Sequence, residues 1–195
     1  RDPEMSRGLG DVYKRQLKGK TIVVFEELYQ EDLKLAVHAD ITDQDQTIYF
    51  PEIGTTAKDK ETDMNLSQAD KEVTLVDTVA YKNLLPGEEY VMNGTLMDKE
   101  TGKPVEIDKK EVTAETTFTP KESSGTVDVI FSFDGTSLAG KTVVVFESAT
   151  YDGKEFATHA DLEDNGQTIY FPEIATTAKA VSYTHLRAHE TSQDL

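Results

Sequence analysis

The chain repeats itself at long range. Residues 159–174, HADLEDNGQTIYFPEI, restate residues 38–53, HADITDQDQTIYFPEI, so that His38 recurs as His159 at an offset of 121 residues. At that offset Leu17–Lys58 aligns with Leu138–Lys179 without a gap, and 25 of the 42 positions are identical. A period this long belongs to whole domains in a tandem array, not to a solenoid whose short repeats share one core. Each unit must therefore close a core of its own within one period. Residues 53–174 are expected to form one complete unit, 17–52 the C-terminal part of a preceding unit, and 175–180 the start of the next. Residues 1–16 and 181–195 break the pattern abruptly and have a more basic composition. They resemble translated adapter sequence and are read as non-native segments, so His185 and His189 are not taken as metal ligands.

Inside the complete unit the apolar period is two rather than 3.6. Segments 71–84, 88–97, 110–119, 125–133, 140–148, 154–162 and 167–174 read as strands, with a short opening strand at 54–59. The turn signals LPGEE, DKETGKP, KESSG, DGTSLAG and YDGKE separate them. Seven or eight short strands in one unit predict an all-β, antiparallel β-sandwich of immunoglobulin-like type. TVVVF (142–146) lacks alternation and is expected as a central strand buried on both faces. One helical turn is expected within 134–140, and no longer helix.

Composition removes several function classes. A net charge of −17 is unsuited to neutralising phosphates, so no nucleic-acid partner is expected. The absence of cysteine excludes disulfides, thiolate nucleophiles and zinc–thiolate sites. No stretch approaches the ~18 apolar residues of a membrane span, so no membrane insertion of these residues is expected. The acidic loop Asp161, Glu163, Asp164, Asn165 fits no EF-hand spacing and reads as a solvated turn, leaving no metal site and no cofactor.

What the two copies keep is chemically unusual. Glu26, His38, Gln46 and Thr55 recur as Glu147, His159, Gln167 and Thr176, while the loop between His and Gln drifts. Each residue admits a plain reading: Thr55 as a strand threonine with Thr56 competing for any role, His159 as a half-buried strand histidine, Gln167 as a polar strand entry. The carboxyls are harder to explain. Glu147 follows TVVVF and Asp77 lies within TLVDTVAY, and a carboxylate buried there without a partner is costly.

TVVVFE followed by THADLEDNGQT, with IGTTAKDKET and VDTVAYKNLLPGEEY upstream, resembles the VaFE-type repeat of Gram-positive surface proteins, one of the Thr–Gln ester-bond domains of adhesin stalks. The resemblance covers the complete unit and the partial copy at 17–53. It implies a CnaB/pilin-like sandwich and an autocatalytic ester between Thr55, the nucleophile, and Gln167, the electrophile. His159 would act as base, and Asp77 with Glu147 as an acidic pair; Glu26, His38, Gln46 and Thr176 are the equivalents in the partial copies. The chemistry is coherent. A hydroxyl needs a base, a carboxamide needs polarisation, and departing ammonia needs a proton. Imidazole ordinarily titrates near neutrality, and two adjacent carboxyls cannot both ionise cheaply. On this reading the loop between His159 and Gln167 merely connects two strands and is free to vary.

The resemblance further implies a structural stalk or spacer of an extracellular, cell-wall-anchored adhesin, reacting once with itself rather than turning over substrate. Its partners would be neighbouring repeats, with a host or surface ligand bound by another domain. Three alternatives stand beside it: a ligand-binding adhesin module, a hydrolase using His159 and Glu147, and a lysine–asparagine isopeptide of pilin type between Lys58 and Asn165.

Overall fold

A computed structural model describes residues 17–180. The segments 1–16 and 181–195, expected to be non-native, lie outside the described residues. Residues 17–50 form four strands: β1 (Thr21–Val23), β2 (Glu26–Gln30), β3 (Leu33–His38) and β4 (Thr47–Tyr49). The complete unit follows with β5 (Glu52–Asp59), β6 (Val73–Lys82), β7 (Tyr90–Asp98), β8 (Lys103–Pro104), β9 (Glu106–Ile107), β10 (Lys110–Glu111) and β11 (Thr113–Phe118). It continues through β12 (Gly125–Phe133), β13 (Thr142–Tyr151), β14 (Lys154–His159) and β15 (Thr168–Tyr170), with one 3-10 turn at Thr136–Leu138.

Two antiparallel sheets form the unit. One has the order β12-β6-β5; the other runs β11-β7-β13-β14, with β15 pairing β13 and β8 pairing β7. Their inner faces follow the period-two rule, since alternate side chains of a strand point to the same side. From the first sheet Leu75, Val79, Val129 and Phe131 enter the core; from the second come Met92, Leu96, Val143, Val145, Ala149 and Ile169. The expected all-β sandwich is the fold. TVVVF is indeed central: Val143, Val144 and Val145 are all buried, with β7 on one edge and β15 on the other.

Two details depart from the sequence reading. The turn DKETGKP contains β8, residues beyond it form β9, and the strand expected at 110–119 divides into β10, paired with β9, and β11. β8, β9 and β10 are two residues long, too short for a periodic signal to emerge. β13 also runs on to Tyr151, because its pairing with β7 continues to Tyr90 beyond the last clear apolar run.

The second edge of β13 is shared by two strands, β14 pairing Glu147–Tyr151 and β15 pairing Thr142–Val144. Between them the chain leaves the sheet at His159 and rejoins it at Thr168. This excursion meets the edge strand of the opposite sheet, where the Ala57 N–H donates to the Gly166 carbonyl at 2.9 Å. Gly94 on β7 stands opposite Glu147 and must stay small, because a Cβ there would collide with the Phe131 ring from the facing sheet.

Residues 17–50 reproduce the local geometry of their copy. Glu26 pairs with His38 as Glu147 pairs with His159, and the β-bulge between Leu28 and Tyr29 recurs between Ala149 and Thr150. These hairpins lack a covering sheet among the described residues, so Phe25, Leu33, Leu35, Val37 and Ile41 are exposed.

Candidate functional site

Strand parity gathers the expected residues. Ile53, Ala57 and Asp59 of β5 are buried, and Thr55 shares their side of the strand, with an Oγ1 that has no solvent contact; Thr56 faces out and is exposed. Asp77 occupies the inner face of β6 between Leu75 and Val79, fully buried at 0% exposure. Glu147, at 2%, lies on the inner face of β13 between Val145 and Ala149, so the two carboxyls come from opposite sheets. Gln167, at 0%, sits at the end of the excursion, held by a bond from the Val145 N–H to its own carbonyl at 3.1 Å. Its side-chain Nε2 donates to Asp77 Oδ1 at 3.2 Å.

The cluster is under-satisfied. Among the described residues, the buried side-chain polar atoms without a hydrogen-bond partner are Thr55 Oγ1, Asp77 Oδ2, both Glu147 oxygens and Gln167 Oε1. Each such atom costs about 1–3 kcal/mol, and folded proteins carry few of them. Scattered, they would read as packing faults. Here they sit on four of the five residues expected to carry an ester-forming reaction.

His159 stands at the end of β14, opposite Glu147 in register and half-buried. Its Nε2 is 2.7 Å from Asp164 Oδ2. A carboxylate only accepts, so Nε2 carries a hydrogen, and in the neutral form of the ring the basic lone pair is then on Nδ1. Asp164 does more than hold the ring: its Oδ1 accepts from Gly166 N at 2.7 Å and its carbonyl from Thr168 Oγ1 at 2.7 Å. One side chain therefore fixes both the histidine and the turn that delivers Gln167. The sequence reading passed over Asp164 as part of a freely varying connector. The signal was present, because Asp43 holds the equivalent place in the other copy and its Oδ2 lies 2.6 Å from His38 Nε2.

In the partial copy Glu26 and His38 are exposed and Gln46 half-buried, and Thr176 lies in exposed irregular chain. None of them joins a second cluster. Lys58 points outward and pairs with Asp63 at 3.2 Å, and Asn165 is exposed. A lysine–asparagine bond between them gets no buried setting.

Electrostatics divides the carboxyls. Burial, then the neighbouring Asp77, pushes the Glu147 carboxyl up to about 10, so it is protonated at neutral pH. Burial also raises Asp77, offset in part by the neighbouring Glu147 carboxyl and by the hydrogen bond from Gln167. Asp164 goes the other way: partial burial alone would raise it, but the bonds from His159 and the Gly166 N–H hold it below the usual range. The sign for stability follows. Below its ordinary value of 4.5 Glu147 carries a proton folded or unfolded; above it only the unfolded chain ionises freely. A Thr55→Val variant, which keeps the carboxyl pair but lacks the hydroxyl, is therefore expected to lose stability as pH rises from 4.5 toward about 10. Urea unfolding across that range measures it, and stability that rises instead would contradict a protonated buried pair.

Comparison with known proteins identifies the family. The family described as "T-Q ester bond containing domain" matches residues 10–50 and again 51–171. Among solved structures, the chain resembles a bacterial adhesin from Mobiluncus mulieris containing intramolecular disulfide, isopeptide and ester bond cross-links, seen in two crystal forms. In space group P21 the TM-score is 0.51 at 17% identity, covering 61% of this chain and 56% of that one. In space group P1 it is 0.51 at 16% identity, covering 63% and 57%. The chain thus spans a little over half of that adhesin, and at this identity the likeness is one of fold. Comparison with curated protein sequences gave no match. With the family pattern matched over most of its length, the chain belongs to the T-Q ester bond containing domains.

Proposed function

We propose that the complete unit, residues 53–174, closes itself with an ester between Thr55 and Gln167 and serves as a stalk module of a bacterial surface adhesin. The observation that carries this reading is the set of unpartnered polar atoms on Thr55, Asp77, Glu147 and Gln167, buried together where the two sheets meet. Nδ1 of His159 takes the Thr55 hydroxyl proton as Oγ1 attacks the Gln167 carboxamide carbon. Protonated Glu147, beside Asp77, supplies a hydrogen bond to the developing oxyanion, which no other group at Gln167 Oε1 provides. The C–N bond then breaks. The amide nitrogen leaves as ammonia with the proton relayed from the hydroxyl, so an alcohol and an amide become an ester and ammonia. Asp164 positions the base throughout.

Burial also supports a reaction performed once and internally. Asp77, Glu147 and Gln167 are fully buried, and four surface cavities among the described residues are lined by other side chains, whereas a hydrolase needs its groups open to an added substrate. The stalk role rests on the long repeat and on the bond's position, joining the first strand to the turn before the last. Neighbouring repeats are its partners in this reading, the adhesive ligand is bound elsewhere, and the protein is displayed outside the cell.

Substitution separates the roles. His159→Ala, Asp77→Ala and Glu147→Ala are expected to fold and to keep the full sequence mass, whereas the unaltered chain loses one ammonia. Loss of ammonia at the unaltered rate in all three variants would remove their assigned roles. Mechanics tests the stalk. Closing a loop of on the order of 100 residues removes unfolded-state entropy worth about 4–5 kcal/mol, by analogy with a disulfide. Under load the effect should be larger, since tension entering β5 and leaving after β15 passes through the bond. Single-molecule pulling should show no unfolding extension for intact units and most of the contour length for Thr55→Ala. Equal extension of both would point to a binding module instead.

A further inference from the structure

A polar clasp joins residues 17–50 to the complete unit, and it is made by a residue that the ester chemistry does not use. Asn83 follows β6 directly. Its side-chain Nδ2 donates to the Lys20 carbonyl at 3.1 Å and to the Phe50 carbonyl at 3.2 Å. Both carbonyls already accept one backbone N–H, Lys20 from Phe50 at 2.9 Å and Phe50 from Gly19 at 3.0 Å. Each therefore offers its second lone pair. One amide group thus spans the two end strands of the preceding copy, with two hydrogens for two carbonyls.

The acceptor face recurs. Gly140 donates to the Phe171 carbonyl at 2.8 Å, and Phe171 to the Lys141 carbonyl at 2.9 Å, repeating the Gly19–Phe50–Lys20 arrangement. Gly19 and Gly140 share a left-handed backbone, at φ 71° and 77°. A Cβ at Gly19 would collide with the Glu52 carboxyl, and one at Gly140 would stand 2.8 Å from Glu173 Oε2, so both glycines let the same glutamate pack closely. Apolar packing does not hold the joint: Tyr49 and Ile48 on one side, and Leu85, Tyr90 and Tyr151 on the other, line an open groove of about 610 Å³. Asn83 itself sits at φ 58°, a conformation asparagine tolerates better than most residues.

We infer that Asn83 is the clasp of an inter-repeat joint: it fixes the orientation of each unit to the one before it. The complete unit presents the Lys141 and Phe171 carbonyls to the corresponding asparagine of a following unit. The inference rests on the repeat and not on ester formation. Residual dipolar couplings of the full 195-residue chain test it. The couplings of 17–50 and 53–171 should fit one alignment tensor. Asn83→Gly keeps the left-handed backbone but removes both donors, and Asn83→Asp turns them into acceptors facing two carbonyls. Both should lose the shared tensor while the 53–171 shifts and the ammonia loss stay as they were. Two unequal tensors in the unaltered chain would overturn the inference, as would one shared tensor in either variant, which would leave Asn83 a turn residue only.

Discussion

Asp77 and Glu147 come from facing sheets and meet in a core lined by Leu75, Val79, Val145 and Ala149, where neither can ionise without loss. The rest of the unit is arranged around that conflict. Replacing the pair with apolar residues would stabilise an ordinary sandwich. In the proposed ester chemistry the pair has a use: one carboxyl that holds its proton above neutral pH is a hydrogen-bond donor fixed in a buried place. Gly94 stays small opposite Glu147, which allows Phe131 to close over this region. The dryness of the site is thus a packing property of both sheets.

The second constraint is topological. A sandwich has no backbone hydrogen bonds between its sheets, only packing. Here the strand β13 gives one edge to two partners, and the chain between them crosses to β5 and bonds it at Ala57. That crossing brings Gln167 to the threonine of the opposite sheet. A covalent link at this place ties sheet to sheet and start to end at once. Asp164 belongs to the same device, since it fixes the histidine and the turn together.

Much of this was legible in the sequence, for a definite physical reason. Alternation with period two gives side-chain parity, and parity puts Asp77 on the side of Leu75 and Val79; Glu147 follows a run without alternation, so its inward side is settled only by the pairing of β13 with β7. The repeat adds a comparison within one chain, marking His, Gln and Glu as kept. Register was not legible. Whether Thr55 or Thr56 faces inward depends on how β5 pairs with β6, Thr55 standing opposite Val79, and no local pattern in GTTAKD decides it. Strands of two residues, such as β8, leave no periodicity to read. Asp164 was hidden differently: it sits in a loop where Asp161 is kept as well and several neighbours drift, and its role comes from three hydrogen bonds that spacing does not reveal.

Thr55 and Gln167 lie far apart in sequence, and the proposed ester makes them covalent neighbours. Peptide mapping of the purified chain after proteolysis, read by tandem mass spectrometry, detects such a bond. A branched species is expected in which the fragment carrying Thr55 is joined to the fragment carrying Gln167, lighter than their sum by one ammonia. Hydroxylamine should open it into two linear peptides, as an ester requires and an isopeptide would not allow. Finding both fragments linear at their full sequence masses in fully folded protein, after prolonged incubation at neutral pH, would contradict the proposed ester.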